Sequence, residues 1–325
     1  MRAERVGEWA WAPGGGPRRI GAGWWGLSPG GILTGVGLCW ESVVGEFRLP
    51  WEGSWDVRGD HRCAVVAGAE GIALVDARGA VAWRAAHAGW APRGGAAAAS
   101  GTCLFDASGD LVWAVVPGER AGGGDELRVL GAADGRVLGR AVLGVETTGS
   151  AGAAVPGGGV LLDLATVHGG RICRARWDGE RVAADVRDSP EEVLADLHPA
   201  GDRYLTAPME ADALTVRRLP GGGAGAVRLG EEVFPGGAGF DLDAGFLDAG
   251  RVLAREFDGP AVLLTAGGLD PVGEVAYPAG AVTGSLRPDG RGRWSTCDAF
   301  TGLSALWRLR DAGRGWAPGA GPRRC

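Results

Sequence analysis

The chain reads as an all-β protein, a closed β-propeller of seven four-stranded blades. Three observations lead there. Short alternating apolar runs fill the sequence without helical periodicity, a tight turn recurs at intervals of roughly 40 to 50 residues, and the two chain ends echo each other. Turn formers are abundant, with 62 Gly and 18 Pro among 325 residues, close to the fraction at which disorder is suspected. Yet 46% of the chain is apolar, 14 residues are Trp, and these fall in short runs between the Gly/Pro clusters. A chain unable to bury a core does not have this pattern.

The turns are Ser28-Pro29-Gly30-Gly31, Arg58-Gly59-Asp60, Asp106-Ala107-Ser108-Gly109, Pro156-Gly157-Gly158, Pro199-Ala200-Gly201-Asp202, Asp248-Ala249-Gly250 and Pro288-Asp289-Gly290. Each supplies the Pro, Asp or Gly that a β-turn needs. Each precedes an apolar strand: ILTGVGLCW, CAVVAGA, LVWAVV, GVLLDLA, RYLTA, RVLAREF and RWSTC. A second hairpin follows in most units, as in IALVDARGAVAWR and LRVLGAADGRVLGR. Repeats of this length with four strands each are the signature of propeller blades. Blades are expected at 20–50, 52–86, 95–143, 149–187, 192–229, 238–277 and 281–317, forming a single domain. The first interval is short, which marks blade one as truncated or out of phase.

Trp11–Arg19 (WAPGGGPRR) and Trp316–Arg324 (WAPGAGPRR) are near copies. A closed propeller must join its first and last strands to remove the free sheet edge. Residues 1–19 are therefore expected to help ring closure, with Glu8–Trp11 meeting Arg314–Trp316; chance in a biased composition is the competing explanation. At Ser189-Pro190-Glu191-Glu192 a capping-box pattern could open a helix. A connector into a strand over Val193–Leu197 is preferred, because a helix would displace an innermost strand.

Composition excludes several chemistries. There are 39 acidic against 33 basic residues, every basic residue is Arg, and Lys, Asn and Gln are absent, a bias expected of GC-rich, actinobacterial codon usage. Schiff-base catalysis and side-chain amide donors are thereby ruled out. No basic run supports nucleic-acid binding. The N-terminus lacks an apolar h-region and no stretch approaches 18 apolar residues, so neither secretion nor a membrane span is expected and the default location is the cytoplasm. Cys39, Cys63, Cys103, Cys173, Cys297 and Cys325 show no CxxC spacing and read as reduced, mostly buried thiols.

The order of apolar strand, polar turn, strand, strand ending in Trp-Asp, turn and strand resembles the WD-repeat propellers. Trp177-Asp178 carries the dipeptide at the end of a third strand, and Asp76, Asp134 and Asp311 stand at comparable places. The Gly-His dipeptide of that family is missing and only Ala86-His87 approximates it. The resemblance spans nearly the whole chain and implies a propeller that serves as an interaction platform.

In such a ring the loops after the second and fourth strands share one rim. Trp40, Glu41, Trp51, Glu52, Trp55, His87, Trp90, Glu146, His168, Glu210, Glu256, Asp258 and Asp298 are expected on or near it, with few arginines besides Arg18, Arg19 and Arg120. Carboxylates among indole faces attract cations. The expected role is a non-enzymatic binding module for a basic peptide or an amine-bearing small ligand, acting as a monomer without cofactor. The competing structural reading makes the Trp blade-packing core and the acids solvated loops. An enzyme with its pocket at the channel mouth is the functional alternative.

Candidate reactive groups are sparse. None of the four His has metal-ligand spacing, so no metal is expected. Asp196 and His198 would share a strand face as an acid/base pair, and Asp241 and Asp243 would share another. Cys39 and Cys297 fall near the same end of neighbouring blades, followed by Trp40 and Asp298, but no base accompanies either thiol. Gly122–Gly124 and Gly221–Gly223 lack Lys and a strand-to-helix context, and read as connectors.

Overall fold

Glycine- and aspartate-containing turns break this chain into short strands, and in the computed structural model they form seven four-stranded antiparallel sheets arranged as a propeller. The structure describes residues 1–12, 17–28, 31–38, 40–69, 71–90, 101–119, 123–188, 192–221, 223–234, 239–256, 259–281 and 284–310. The innermost strands, which line the central channel, are Arg18–Ile20, Ser54–Val57, Cys103–Phe105, Thr147–Ala154, Glu192–Leu197, Gly245–Asp248 and Ser285–Pro288 for blades 1 to 7. Within blades 1 to 6 the chain then proceeds outward strand by strand. The segment after Glu191 is a strand, not a helix, since Glu192–Leu197 pairs with Arg203–Pro208. Ser189–Glu191 lie outside the described residues.

The ring closes in blade 7. Its outer strand is Ala3–Ala10, which pairs antiparallel with Leu303–Leu309, placing Glu8 opposite Ala305 and Ala10 opposite Leu303. The N-terminal strand thus covers an edge that would otherwise be open. Arg314–Trp316 and the C-terminal echo motif lie outside the described residues.

Blade one is shifted by one strand from the sequence expectation. Its first hairpin is Arg18–Ile20 with Gly23–Leu27, turning at Gly21. The Ser28–Gly31 turn instead joins the second and third strands, Gly23–Leu27 and Ile32–Gly37. Elsewhere the motif positions agree with WD-type blades. Trp177 ends the third strand of blade 4, and Asp178 accepts the N–H groups of Glu180 and Arg181 at 2.8 and 2.7 Å. Asp76 and Asp134 cap equivalent turns through the N–H groups of Arg78 and Arg136. Asp311 lies outside the described residues.

A twisted four-stranded sheet cannot bury its own faces, so the core lies between blades. Seven buried clusters occur among the described residues, one per blade boundary. At the seam between blades 7 and 1 this cluster is built from indoles. Trp11 and Trp24 each meet Trp40 edge-on, with ring centroids 6.1 and 5.8 Å apart. Trp40 reaches inward from a left-handed backbone with φ of 58°. Glycine contributes packing as well as turns, because a Cβ at Gly26 would stand 2.7 Å from the Trp11 ring.

Trp40→Ala is therefore expected to remove core. Loss of a fully buried indole costs about 3–5 kcal/mol. Thermal unfolding followed by circular dichroism should show a large drop in Tm; an unchanged Tm would contradict the closure seam described here.

Candidate functional site

With strands in phase, each expected site residue acquires a face. The upper face carries the turns between second and third strands and the connections from one blade to the next. It holds Trp51, Glu52, His87, Trp90, Glu146, His168, Glu210, Glu256 and Asp298. Trp40 and Glu41 do not belong there. They lie between the third and outer strands of blade 1, on the lower face, because the first hairpin of that blade turns at Gly21 and not at Gly30. Cys39 and Asp258 are outside the described residues.

The tryptophans offer little to a ligand. Trp40 is 3% exposed and Trp90 6%, the latter packed with Trp113 and Leu127. Trp55 sits on the inner strand of blade 2 with the Arg18 guanidinium 3.9 Å above its ring. Trp51 is half-buried against Gly68, with Arg84 5.4 Å from its ring centroid. The indoles of the expected rim are thus core side chains or already stacked on the protein's own arginines, since blade packing claims large flat rings first.

The exposed apolar groups of the upper face are others. Phe300 is 93% exposed, Val167 58% and Met209 54%, all at tips of turns between second and third strands. Asp298 builds the tip that presents Phe300: its Oδ1 accepts the N–H groups of Phe300 and Thr301 at 2.8 and 3.0 Å. These bonds hold the Asp298 carboxyl below the usual carboxylate range. Beside Val167 and Met209 stand His168 and Glu210, both exposed. Among the described residues the upper-face connections contain many carboxylates and no arginine, whereas lower-face turns mix both signs, as in Arg58-Gly59-Asp60 and Arg291-Gly292-Arg293 after Asp289. Glu119, Glu232 and Asp241 are paired with Arg128, Arg228 and Arg255 from the strands. Glu52, Glu210 and Asp298 make no ion pair among the described residues.

The central channel is the second candidate. Aspartates clip successive blades together around it. Asp56 accepts the Phe105 N–H at 2.8 Å, Asp196 that of Phe246 at 2.7 Å and Asp243 that of Leu286 at 3.0 Å. Buried Asp125 accepts both the N–H and the hydroxyl of Thr147, and Asp163 accepts the Leu194 N–H. Between blades 7 and 1, Asp289 pairs with Arg19 at 2.5 Å. Desolvation in the channel wall pushes Asp196 up to about 7 and Asp163 up to about 6, and raises Asp56 and Asp243.

The expected reactive pairs are not assembled. Asp196 and His198 both turn toward blade 6, Asp196 accepting the Phe246 N–H and His198 standing at 3.2 Å from the Ala249 carbonyl, but no hydrogen bond or ion pair joins the two. His198 is 2% exposed, its Nδ1 is 2.7 Å from Asp202, and its ring meets Phe246 edge-on. Asp241 is engaged by Arg255 and Asp243 by the Leu286 backbone. Cys297 is buried, its thiol directed at the Asp298 carbonyl at 3.7 Å. Among the described residues no three His, Cys, Asp or Glu side chains stand together as metal ligands.

The raised aspartates carry a signed pH dependence. A carboxyl that titrates higher in the folded chain than its unfolded value of about 3.9 holds more protons when folded, so its contribution to stability falls as pH rises from about 4 towards 7. Asp196→Asn keeps an acceptor for Phe246 without the charge. It should lose less stability between pH 5 and pH 8 than the wild type in thermal unfolding; identical slopes would sink the assignment. Asp196→Ala orphans the Phe246 N–H and should lower stability by about 1–3 kcal/mol at both pH values.

No family model matches the chain, and no curated protein does. Solved structures do. BamB from Moraxella catarrhalis shares 14% identity at a TM-score of 0.57, over 96% of this chain and 99% of that one. The β-propeller domain of Cps50 (Swd1) from Myceliophteria thermophila shares 11% identity at a TM-score of 0.65, over 95% of this chain and 100% of that one. At such identities the likeness is one of fold. By that fold, this chain is a seven-bladed β-propeller, similar in architecture to both of these structures.

Proposed function

We propose that the protein is a non-enzymatic binding propeller that holds a basic, partly apolar peptide segment of a partner protein against its upper face. The observation that carries this reading is Phe300, almost wholly solvent-exposed at a turn tip that Asp298 rigidifies, on a face whose described connections hold carboxylates and no arginine. An exposed aromatic on a rigid turn is an anchor obtained at low entropy cost. Its surrounding field favours a cationic partner and repels acidic ones. Val167 and Met209 extend the apolar contact onto blades 4 and 5. An enzymatic role is less favoured, because the channel carboxylates are engaged as acceptors of backbone N–H groups and His198 is engaged by Asp202 and the Ala249 carbonyl.

The test is titration of a fluorescent peptide that alternates Arg with Leu. Affinity should fall steeply with salt, drop about tenfold in Phe300→Ala, and drop further in Glu52→Arg/Glu210→Arg. These side chains have no packing role, so Tm should not move. Equal peptide affinity in wild type and variants would refute the upper face as the docking surface.

A further inference from the structure

The central channel has a polarity that peptide docking on the upper face does not use. Around a cavity of about 720 Å³, the inner wall of blades 7 and 1 presents Arg18, Arg19, Arg287 and Arg291, while blades 4 to 6 present Asp163, Asp196 and Asp243. The aspartates are accounted for as clips between blades, and Arg19 is neutralised by Asp289.

Two guanidinium groups, Arg287 and Arg291, have no ion pair among the described residues, and Arg18 is only loosely paired. Arg18 approaches Asp56 only to 3.9 Å, and its Nε is buried without a hydrogen-bond partner. Arg287 lies on the adjacent inner strand and Arg291 in the turn that follows it; both are exposed in the channel. Neither side chain makes a hydrogen bond or ion pair among the described residues. Arg287 is also near enough to Arg18 for the two charges to repel. Positive charges gathered in a concave, partly desolvated site, with only loosely held internal counter-ions, are relieved by an incoming anion. Guanidinium groups are the donors that match planar or tetrahedral oxyanions best. The aspartates of blades 4 to 6 limit what fits: an anion spread across the whole bore meets more repulsion than one compact oxyanion group held at the arginines.

We infer that the channel binds a small molecule through one phosphate or carboxylate group, gripped by Arg287 and Arg291 with Arg18 behind them. The site is separate from the upper-face residues and stands or falls without them.

Calorimetric titration of the full chain, in a buffer free of phosphate and sulfate, tests this with inorganic phosphate, pyrophosphate and succinate as probes. At least one should saturate at one site per chain. Tighter binding of the phosphates assigns a phosphate group, and tighter binding of succinate a carboxylate. Arg287→Gln and Arg291→Gln should each weaken binding about tenfold, with unchanged circular dichroism because neither side chain has a partner to lose. Arg181→Gln, at an exposed arginine in the outer turn of blade 4, should leave affinity unchanged, as should Phe300→Ala. Failure of all three probes to saturate at millimolar concentration, or an equal loss in Arg181→Gln, would overturn the proposal.

Discussion

The structure depends on how one blade is held against the next. A single four-stranded sheet leaves both faces uncovered, and only a ring of such sheets hides them all. Each of the seven boundaries has its own buried cluster. Near the channel an aspartate side chain commonly crosses the boundary to a backbone N–H of the following inner strand, as Asp56, Asp163, Asp196 and Asp243 do. Inner strands are short and their outward N–H groups have no fifth strand to pair with. A carboxylate satisfies those donors where another strand cannot fit.

That device has an electrostatic consequence. Carboxylates are held in a partly desolvated wall, where their ionised forms are disfavoured. It also explains why paired acids in the sequence are not chemistry in the structure: Asp241 and Asp243, two residues apart, serve an arginine and a backbone amide respectively. The acids of the upper-face turns have a different status, since several are solvated and unpaired and set the field a partner meets. Ring closure adds the third element. The N-terminal strand completes blade 7, and Trp11 just beyond it enters the indole cluster that locks blade 7 to blade 1.

Much of the architecture was legible because its signals are local. Turn residues, period-two runs and the Trp177-Asp178 pair depend only on neighbours in the chain. What failed was phase in one blade and direction in several side chains. The first turn lies at Gly21 and not at Gly30, which puts Trp40 and Glu41 on the other face, and Asp196 and His198 are each taken by a different partner, the Phe246 N–H and Asp202. Phe300 was overlooked because nothing in Asp298-Ala299-Phe300 distinguishes a displayed ring from a packed one.

By itself, then, the sequence determined that this is a repeat of short pleated strands, about how many blades it makes, and that lysine and amide chemistry are absent. Only the tertiary structure decided which indoles are core, which aspartates join blades, and which arginines line the channel without a close ion pair. The reason is physical: strand and turn formation are local, whereas the packing of rings between blades and the aspartate clips, such as Asp196 to Phe246, join residues about one repeat apart across a blade boundary.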